Sequence, residues 1–266
     1  IGCMMVELGA LSRITGDDRY YDRSKAGIRK LFEMRSDIGL VGNGVDVETG
    51  EWLGRECHLG GGIDAYYEYL MKSWLLFGDS DFKDMWDVSI GALNEHLAVE
   101  TETGLYYTHV DMHTGEIVAP VFGALDAFFP SVLVLHGDLD RARRLQDSCF
   151  RIWTKYGLEP ESHDIHTGEA LAPYYILRPE IMESAFYLQR ATGDDAYTRM
   201  GAVMWRDLRK HCRTDTAFAA VEDVRTMEKS DAMESFFLAE TLKYLYLIFE
   251  PRTIFDFETM VFNSEA

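Results

Sequence analysis

Along this chain, apolar positions recur at helical spacing in runs that are broken by short polar interruptions, and the interruptions themselves repeat. An amphipathic run, then Gly-Asp, then a second helical run occurs as LSRITGDDRYYD starting at Leu11, LLFGDSDFKDMW at Leu75, VLHGDLDRARRL at Val134 and LQRATGDDAYTR at Leu188. Glycine just past the end of a helix accepts the left-handed conformation that stops it, and the Asp that follows can cap the next helix. Each copy therefore predicts the turn of an α-hairpin. The turn glycines, Gly16, Gly78, Gly137 and Gly193, are separated by 62, 59 and 56 residues, a near-constant period for two helices plus a long connection. A further helix is predicted over Leu242–Phe249, where the next copy falls due.

A repeat of two helices either stacks into an open solenoid or curves until it closes into a toroid. The links over residues 39–62, 103–121 and 159–179 are long and carry Gly, aromatics, His and acids, which suits loops that gather at one end of a barrel and build a site there. The pattern predicts an all-α fold, an (α/α) barrel or toroid of helical hairpins. Residues 217–224 and 253–262 alternate or carry β-branched and aromatic residues, predicting short strands and a small C-terminal β-hairpin. No linker-like segment divides residues 1–266, which reads as a single domain.

Composition narrows the functions. An apolar content of 47% with 27% charged residues fits a globular protein rather than a disordered one. The net charge of −19 excludes a phosphate-backbone partner, since nucleic-acid binding draws on clustered Lys and Arg. The longest apolar stretch, near residues 124–135, is interrupted by Asp126 and Pro130 and is shorter than the ~20 residues of a membrane span. Cys3, Cys57, Cys149 and Cys212 lie far apart with no CxxC pair, which excludes a zinc motif and leaves them as free thiols.

Four segments carry candidate chemistry. In HLGGGIDAYYEYLMKSW, from His58, three glycines allow a tight turn before a helix starting near Asp64. Asp64 is placed either to cap that helix or to act in a site, and Glu68 either neighbours Asp64 or pairs with Lys72. In ILRPEIMESAFYL, Pro179 opens a helix and Glu180 meets its positive end, a field that favours the ionised carboxylate a general base requires. Glu183 follows one turn later on the same face. In DAMESFFLAETLKYLYL, Glu234 and Glu240 punctuate an apolar aromatic helix, so they face solvent, find hydrogen bonds, or surround a cation or sugar hydroxyls. One ring of the pair Phe236 and Phe237 is available to stack on a sugar. In the terminal MVFNSEA, Ser264 and Glu265 offer hard oxygen ligands. His58, His109, His113, His163 and His166 lack a metal-binding spacing and read as polar loop residues.

Taken together, LSRITGD, GIDAYYEYLMK, LRPEIMES, MESFFLAETLKYLYLIF and FNSEA, in this order along the chain, resemble the class I α-mannosidases, glycoside hydrolase family 47. The resemblance implies a barrel of seven helical hairpins, of which this chain carries four to five, closed by a β-hairpin with a calcium ion at its tip. It implies Glu180 as general base and Asp64 and Glu161 as catalytic acids, with Arg178, Glu183, Phe236, Glu240 and Glu265 lining the pocket for terminal mannose. Ser264 stands where the family has a Thr whose carbonyl and hydroxyl hold Ca2+. The implied reaction is inverting hydrolysis of terminal α-1,2-linked mannose from high-mannose oligosaccharides or glycoproteins. In such chemistry two carboxyls stand about 6.5–9.5 Å apart across the anomeric carbon. A lectin-like module that binds mannose without turnover is the alternative. The resemblance also implies a catalytic Glu and a second acidic pocket residue, both expected upstream of Ile1. Gly62 stands where processing members have Arg, as in the glycoprotein-degradation and bacterial branch. The implied location is the secretory-pathway lumen in a eukaryote, or the periplasm or exterior in a bacterium.

Overall fold

A computed structural model describes residues 4–251, 256 and 259–263. The helices pair in sequence: α1 (Met5–Thr15) with α2 (Arg19–Glu33), α3 (Asp64–Phe77) with α4 (Ser80–His96), α5 (Phe129–His136) with α6 (Leu139–Tyr156), and α7 (Glu180–Thr192) with α8 (Asp195–His211). A ninth helix, α9 (Leu242–Phe249), coincides with the predicted fifth element and is entered through a π-helical turn at Phe237–Thr241. The fold is thus all-α, built of helical hairpins, with a small β component.

The Gly-Asp turns work as the sequence predicts. Gly16, Gly78, Gly137 and Gly193 all cap their helices at φ between 69° and 95°. Asp79, Asp138 and Asp194 each accept a backbone N–H from the helix that follows. In the first copy Asp17, likewise the residue after the glycine, accepts from Arg19 N at 3.1 Å through Oδ1, while Asp18 caps nothing.

Two compact units are present. The first comprises the described residues up to Ala98, Tyr107–Ala119 and those from Asp256 on; the second comprises Val99–Tyr106 and the described residues from Pro120 to Pro251. In the first, α1 also packs on α3; in the second, α7 touches α5, α6 and α9. Helix α7 is the centre of that packing, with every residue from Glu180 to Gln189 buried. Its large apolar side chains contribute about 1.5–3 kcal/mol each on burial. Ser184 locks it in place, its hydroxyl donating to Ala127 O at 2.6 Å.

The predicted long links are more ordered than their Gly and polar content suggests. They hold antiparallel pieces: β1 (Glu56–Cys57), β2 (Ala98–Thr101), β3 (Gly104–Tyr107), β4 (His109–Asp111), β5 (Ile117–Ala119), β6 (Val121–Gly123), β7 (Ser162–Asp164) and β8 (Ala170–Ala172), in sheets ordered β1-β4-β5, β2-β3 and β6-β7-β8. Runs of two to four residues lie below what alternation in a sequence can reveal. The strand predicted over residues 217–224 shortens to β9 (Val221–Asp223), paired with β10 (Glu228–Lys229) as a hairpin. Half of residues 253–262, where a strand is predicted, lie outside the described residues, and the described ones, 256 and 259–262, are not in a strand. Cys57, Cys149 and Cys212 are buried free thiols.

Candidate functional site

In the second unit, the turn into α7 gathers four of the predicted site residues. Arg178 donates from Nε to Glu161 Oε2 at 3.1 Å and from Nη2 to Glu161 Oε1 at 2.5 Å, a two-nitrogen fork on one carboxylate. Its Nη1 stands 3.6 Å from Glu180 Oε1, and its guanidinium lies 5.6 Å from the centre of the Phe236 ring. Arg178 is thereby held at both ends, and its ionised form is further favoured by the two carboxylates. Glu161 is fixed through its backbone, its N–H donating to Tyr174 O at 2.9 Å and its carbonyl accepting from Ala124 N at 3.0 Å.

A strained residue aims this cluster. Leu177 adopts φ +70°, a left-handed conformation that costs a non-glycine residue roughly 1–2 kcal/mol, and its carbonyl accepts from Thr241 Oγ1 at 2.7 Å. The reversal delivers Arg178 and Glu180 to the N-terminal end of α7. No composition signal reports such a position, because leucine is an ordinary helix former.

Glu180, Glu183 and Glu240 are all buried. Glu183 Oε1 accepts from Tyr244 Oη at 2.9 Å, a partner that the sequence concealed within an aromatic run. The field of the helix end, which favours an ionised Glu180, meets opposition. Burial pushes its carboxyl well above the usual range and the charges of Glu240 and Glu183 push the same way, against the opposing pull of Arg178. Field effects at a helix end are smaller than the cost of burying a carboxylate. Of the two aromatic neighbours, Phe237 is core while Phe236 is half-buried over Arg178. Glu234 is exposed.

In the first unit, Asp64 is the first residue of α3, and its capping role is corrected: Ile63 takes the cap position. Asp64 lines a cavity of about 530 Å3 together with Asn43, Asp46, Trp52, Gly62 and Tyr66. Gly62 stands there at φ +97°, and a Cβ added to it would lie 3.4 Å from Asn43 O, so the backbone itself favours the missing side chain. Glu68 pairs with Lys72 inside the core rather than with Asp64. His58 and His109 stack at 4.6 Å, and His58 Nε2 meets Asn43 Nδ2 at 2.8 Å. In the second unit His163 is wholly buried, against the expectation of polar loop histidines; His113 and His166 are exposed. Burial drives both His58 and His163 down to about 4.

Ser264, implied at the metal, and Glu265, implied in the sugar pocket, lie outside the described residues. Among the described residues no group of three or more His, Cys, Asp or Glu could hold a metal ion.

The second unit thus combines helical hairpins with a buried carboxylate cluster around one arginine. The sequence pattern of "Glycosyl hydrolase family 47" matches residues 1–266, and the chain belongs to that family. It is 38% identical over 268 residues to "ER degradation-enhancing alpha-mannosidase-like protein 2" of Mus musculus, covering 99% of this chain and 45% of that protein. It is 39% identical over 255 residues to the Homo sapiens protein of the same name, covering 94% of this chain and 43% of that protein. Among solved structures, the "alpha-1,2-mannosidase from Trichoderma reesei" superposes with a TM-score of 0.89 at 28% identity, covering 100% of this chain and 64% of that one. The chain therefore spans less than half the length of these curated relatives.

Proposed function

We propose that this chain is part of a calcium-dependent, inverting α-mannosidase that removes terminal α-1,2-linked mannose from high-mannose oligosaccharides or glycoproteins. The observation that carries the reading is the Arg178 fork on Glu161 with Glu180 3.6 Å from its third nitrogen. A cation among buried carboxyls orders hydroxyl-rich ligands and holds a carboxylate ready to receive a proton. Glu180 is proposed as the base that takes a proton from water, with Asp64 and Glu161 as the acids. Arg178, Glu183, Phe236, Glu240 and Glu265 would contact the sugar, and Ser264 would hold Ca2+. The names of the relatives support a secretory-pathway location, in the lumen of the endoplasmic reticulum.

A second reading is a mannose-binding module without turnover. It is favoured by one observation, the burial of Glu180, which raises its carboxyl and works against the ionised form that a base requires. Release of mannose from α-1,2-mannobiose by the full-length protein, with calcium and with excess chelator, separates the two. Calcium-dependent release supports the hydrolase. Calcium-dependent mannose binding without release moves the assignment to the binding module.

A further inference from the structure

We propose that the C-terminal end of α8 carries a docking site for an acidic segment of a partner polypeptide. The segment's carboxylates meet Arg206, Arg209, Lys210 and Arg213, and a large apolar side chain enters beside Trp205. The site lies within the second unit and does not depend on the hydrolase reading above.

In a chain with 26 Lys and Arg against 45 Asp and Glu, one cavity of about 350 Å3 is lined by Ala202, Trp205, Arg206, Arg209, Lys210 and Arg213. Basic residues at the end of a helix have an ordinary role, since they complement the negative end of its dipole within the last turn. That role covers Arg209 and Lys210, but Arg206 precedes the last turn and Arg213 follows the helix. Arg213 is held at the cavity by an antiparallel bridge to Phe218. The Phe218 ring stacks 6.0 Å from that of Trp205 and lies 4.9 Å from that of Phe237, which is core. Arg209 stands 5.9 Å from the centre of the Trp205 ring, near enough to be drawn to its face. Arg206 pairs with Asp207, yet its side chain stays 67% exposed. Among the described residues no carboxylate comes within ion-pair distance of Arg209, Lys210 or Arg213, and all three are exposed.

Trp205 also lines a second, apolar cavity of about 200 Å3 with Leu242, Leu245, Tyr246 and Phe249 of α9. Gly201 lets α9 come so close, because a Cβ there would meet Ile248 at 2.9 Å. Tyr246 is 62% exposed and Phe249 47%. Trp, Tyr and Arg are the residues that dominate binding energy at protein interfaces, and clusters of Arg recognise acidic motifs. The two cavities share one ring, so the ligand chemistry that fits both is anionic on one side and apolar on the other. Carboxylates match the forked donors of the arginines. An extended polyanion, a nucleic acid or an anionic bilayer, would bring far more charge against the net −19 of the chain than four cations offset. A short acidic segment engages the patch alone, since charges beyond a Debye length of about 8 Å are screened.

The test uses the full-length protein and a fluorescein-labelled peptide of Glu and Ser residues with a central Leu-Phe pair, followed by fluorescence anisotropy. The parent is expected to bind it, more weakly as salt rises, and a peptide with Gln for Glu is expected to lose binding. Arg209→Glu with Arg213→Glu should weaken binding at least about tenfold, because like charges then face each other. Tyr246→Ser should weaken binding of this peptide and leave unchanged that of a version with Ser for the Leu-Phe pair. No binding by the parent, equal binding of the Gln peptide, or equal binding by the charge-reversed protein overturns the proposal. Tighter association with vesicles of phosphatidylserine and phosphatidylcholine than with the peptide also overturns it, in favour of a membrane surface. If circular dichroism shows that the charge-reversed protein does not fold, Arg209→Gln with Arg213→Gln replaces it. That variant removes the charges without reversing them, and binding equal to the parent's overturns the proposal in the same way.

Discussion

Arg178 and Glu161 meet in a two-nitrogen fork although 17 residues separate them, and the third guanidinium nitrogen stands 3.6 Å from Glu180. The fork makes Arg178 a fixed cation rather than a mobile one, since a planar donor bound at two points cannot swing away. Glu180 thus faces a positive charge of set position at the mouth of α7, whose own end adds a favourable field. What opposes its ionisation is burial, so the site holds a poised carboxyl whose state is decided by its neighbours.

That balance makes Glu180 the first residue to change. Glu180→Gln keeps shape and one hydrogen-bonding oxygen but removes the base. In the full-length protein, kcat is expected to fall by about 10²–10⁴-fold, the span of general-base contributions, while mannose binding by calorimetry changes little. Turnover near the parent level would remove Glu180 from the mechanism.

The pair Lys72 and Glu68 tests the core of the first unit. Both side chains are nearly or fully buried, one turn apart on α3. Lys72→Met alone strands a carboxylate and is expected to destabilise by about 3–5 kcal/mol in chemical denaturation. Combining it with Glu68→Leu should restore most of the loss, because two apolar side chains of similar volume carry no desolvation penalty. A double variant as unstable as the single one would mean that the pair contributes through packing alone.

The repeat of Gly-Asp turns was legible because it is local: a φ-positive glycine and a capping carboxylate act within a few residues. The same locality explains where reading failed. Asp64 and Glu180 were visible as acids at helix starts, but Glu180 is buried in a helix packed against α9 and the π-helical turn, over fifty residues downstream, and that burial opposes the field of the helix end. Tyr244 as partner of Glu183, Glu68 as partner of Lys72, and the strained Leu177 all follow from tertiary neighbours. The short strands that stiffen the links escaped because their pairing is likewise non-local. Ser264 and Glu265 were chosen by resemblance and remain a proposal.

Acid should act on the second unit through His163, which is wholly buried with neither ring nitrogen hydrogen-bonded and is held down to about 4 by burial. A histidine whose folded value lies below its unfolded value of about 6.5 contributes stability that is present above that pH and lost as pH falls toward the folded value. Lys155 opposes its protonation and Asp164 favours it, both more weakly than burial. The unfolding free energy of the parent should therefore fall relative to that of His163→Phe by roughly 1.4 kcal/mol per pH unit between about pH 6 and pH 4.5. Parallel curves for the two proteins would show that His163 is already charged or does not titrate in the fold.

Calcium gives the last prediction, and it bears on the choice between hydrolase and binding module. Ser264→Ala removes a hydroxyl ligand while leaving the backbone carbonyl, so metal binding should weaken without vanishing; calcium prefers six to eight oxygens, and losing one of them leaves the others in place. Calorimetry of the full-length protein measures this directly as a rise in Kd. If Ser264 holds the ion, mannose binding should weaken in parallel, because sugar hydroxyls would complete the same coordination shell. Unchanged calcium affinity would move the ion away from Ser264. A weakened calcium site with undiminished mannose affinity would leave the sugar held by the Arg178 cluster alone, and the metal would then have a structural role in either reading.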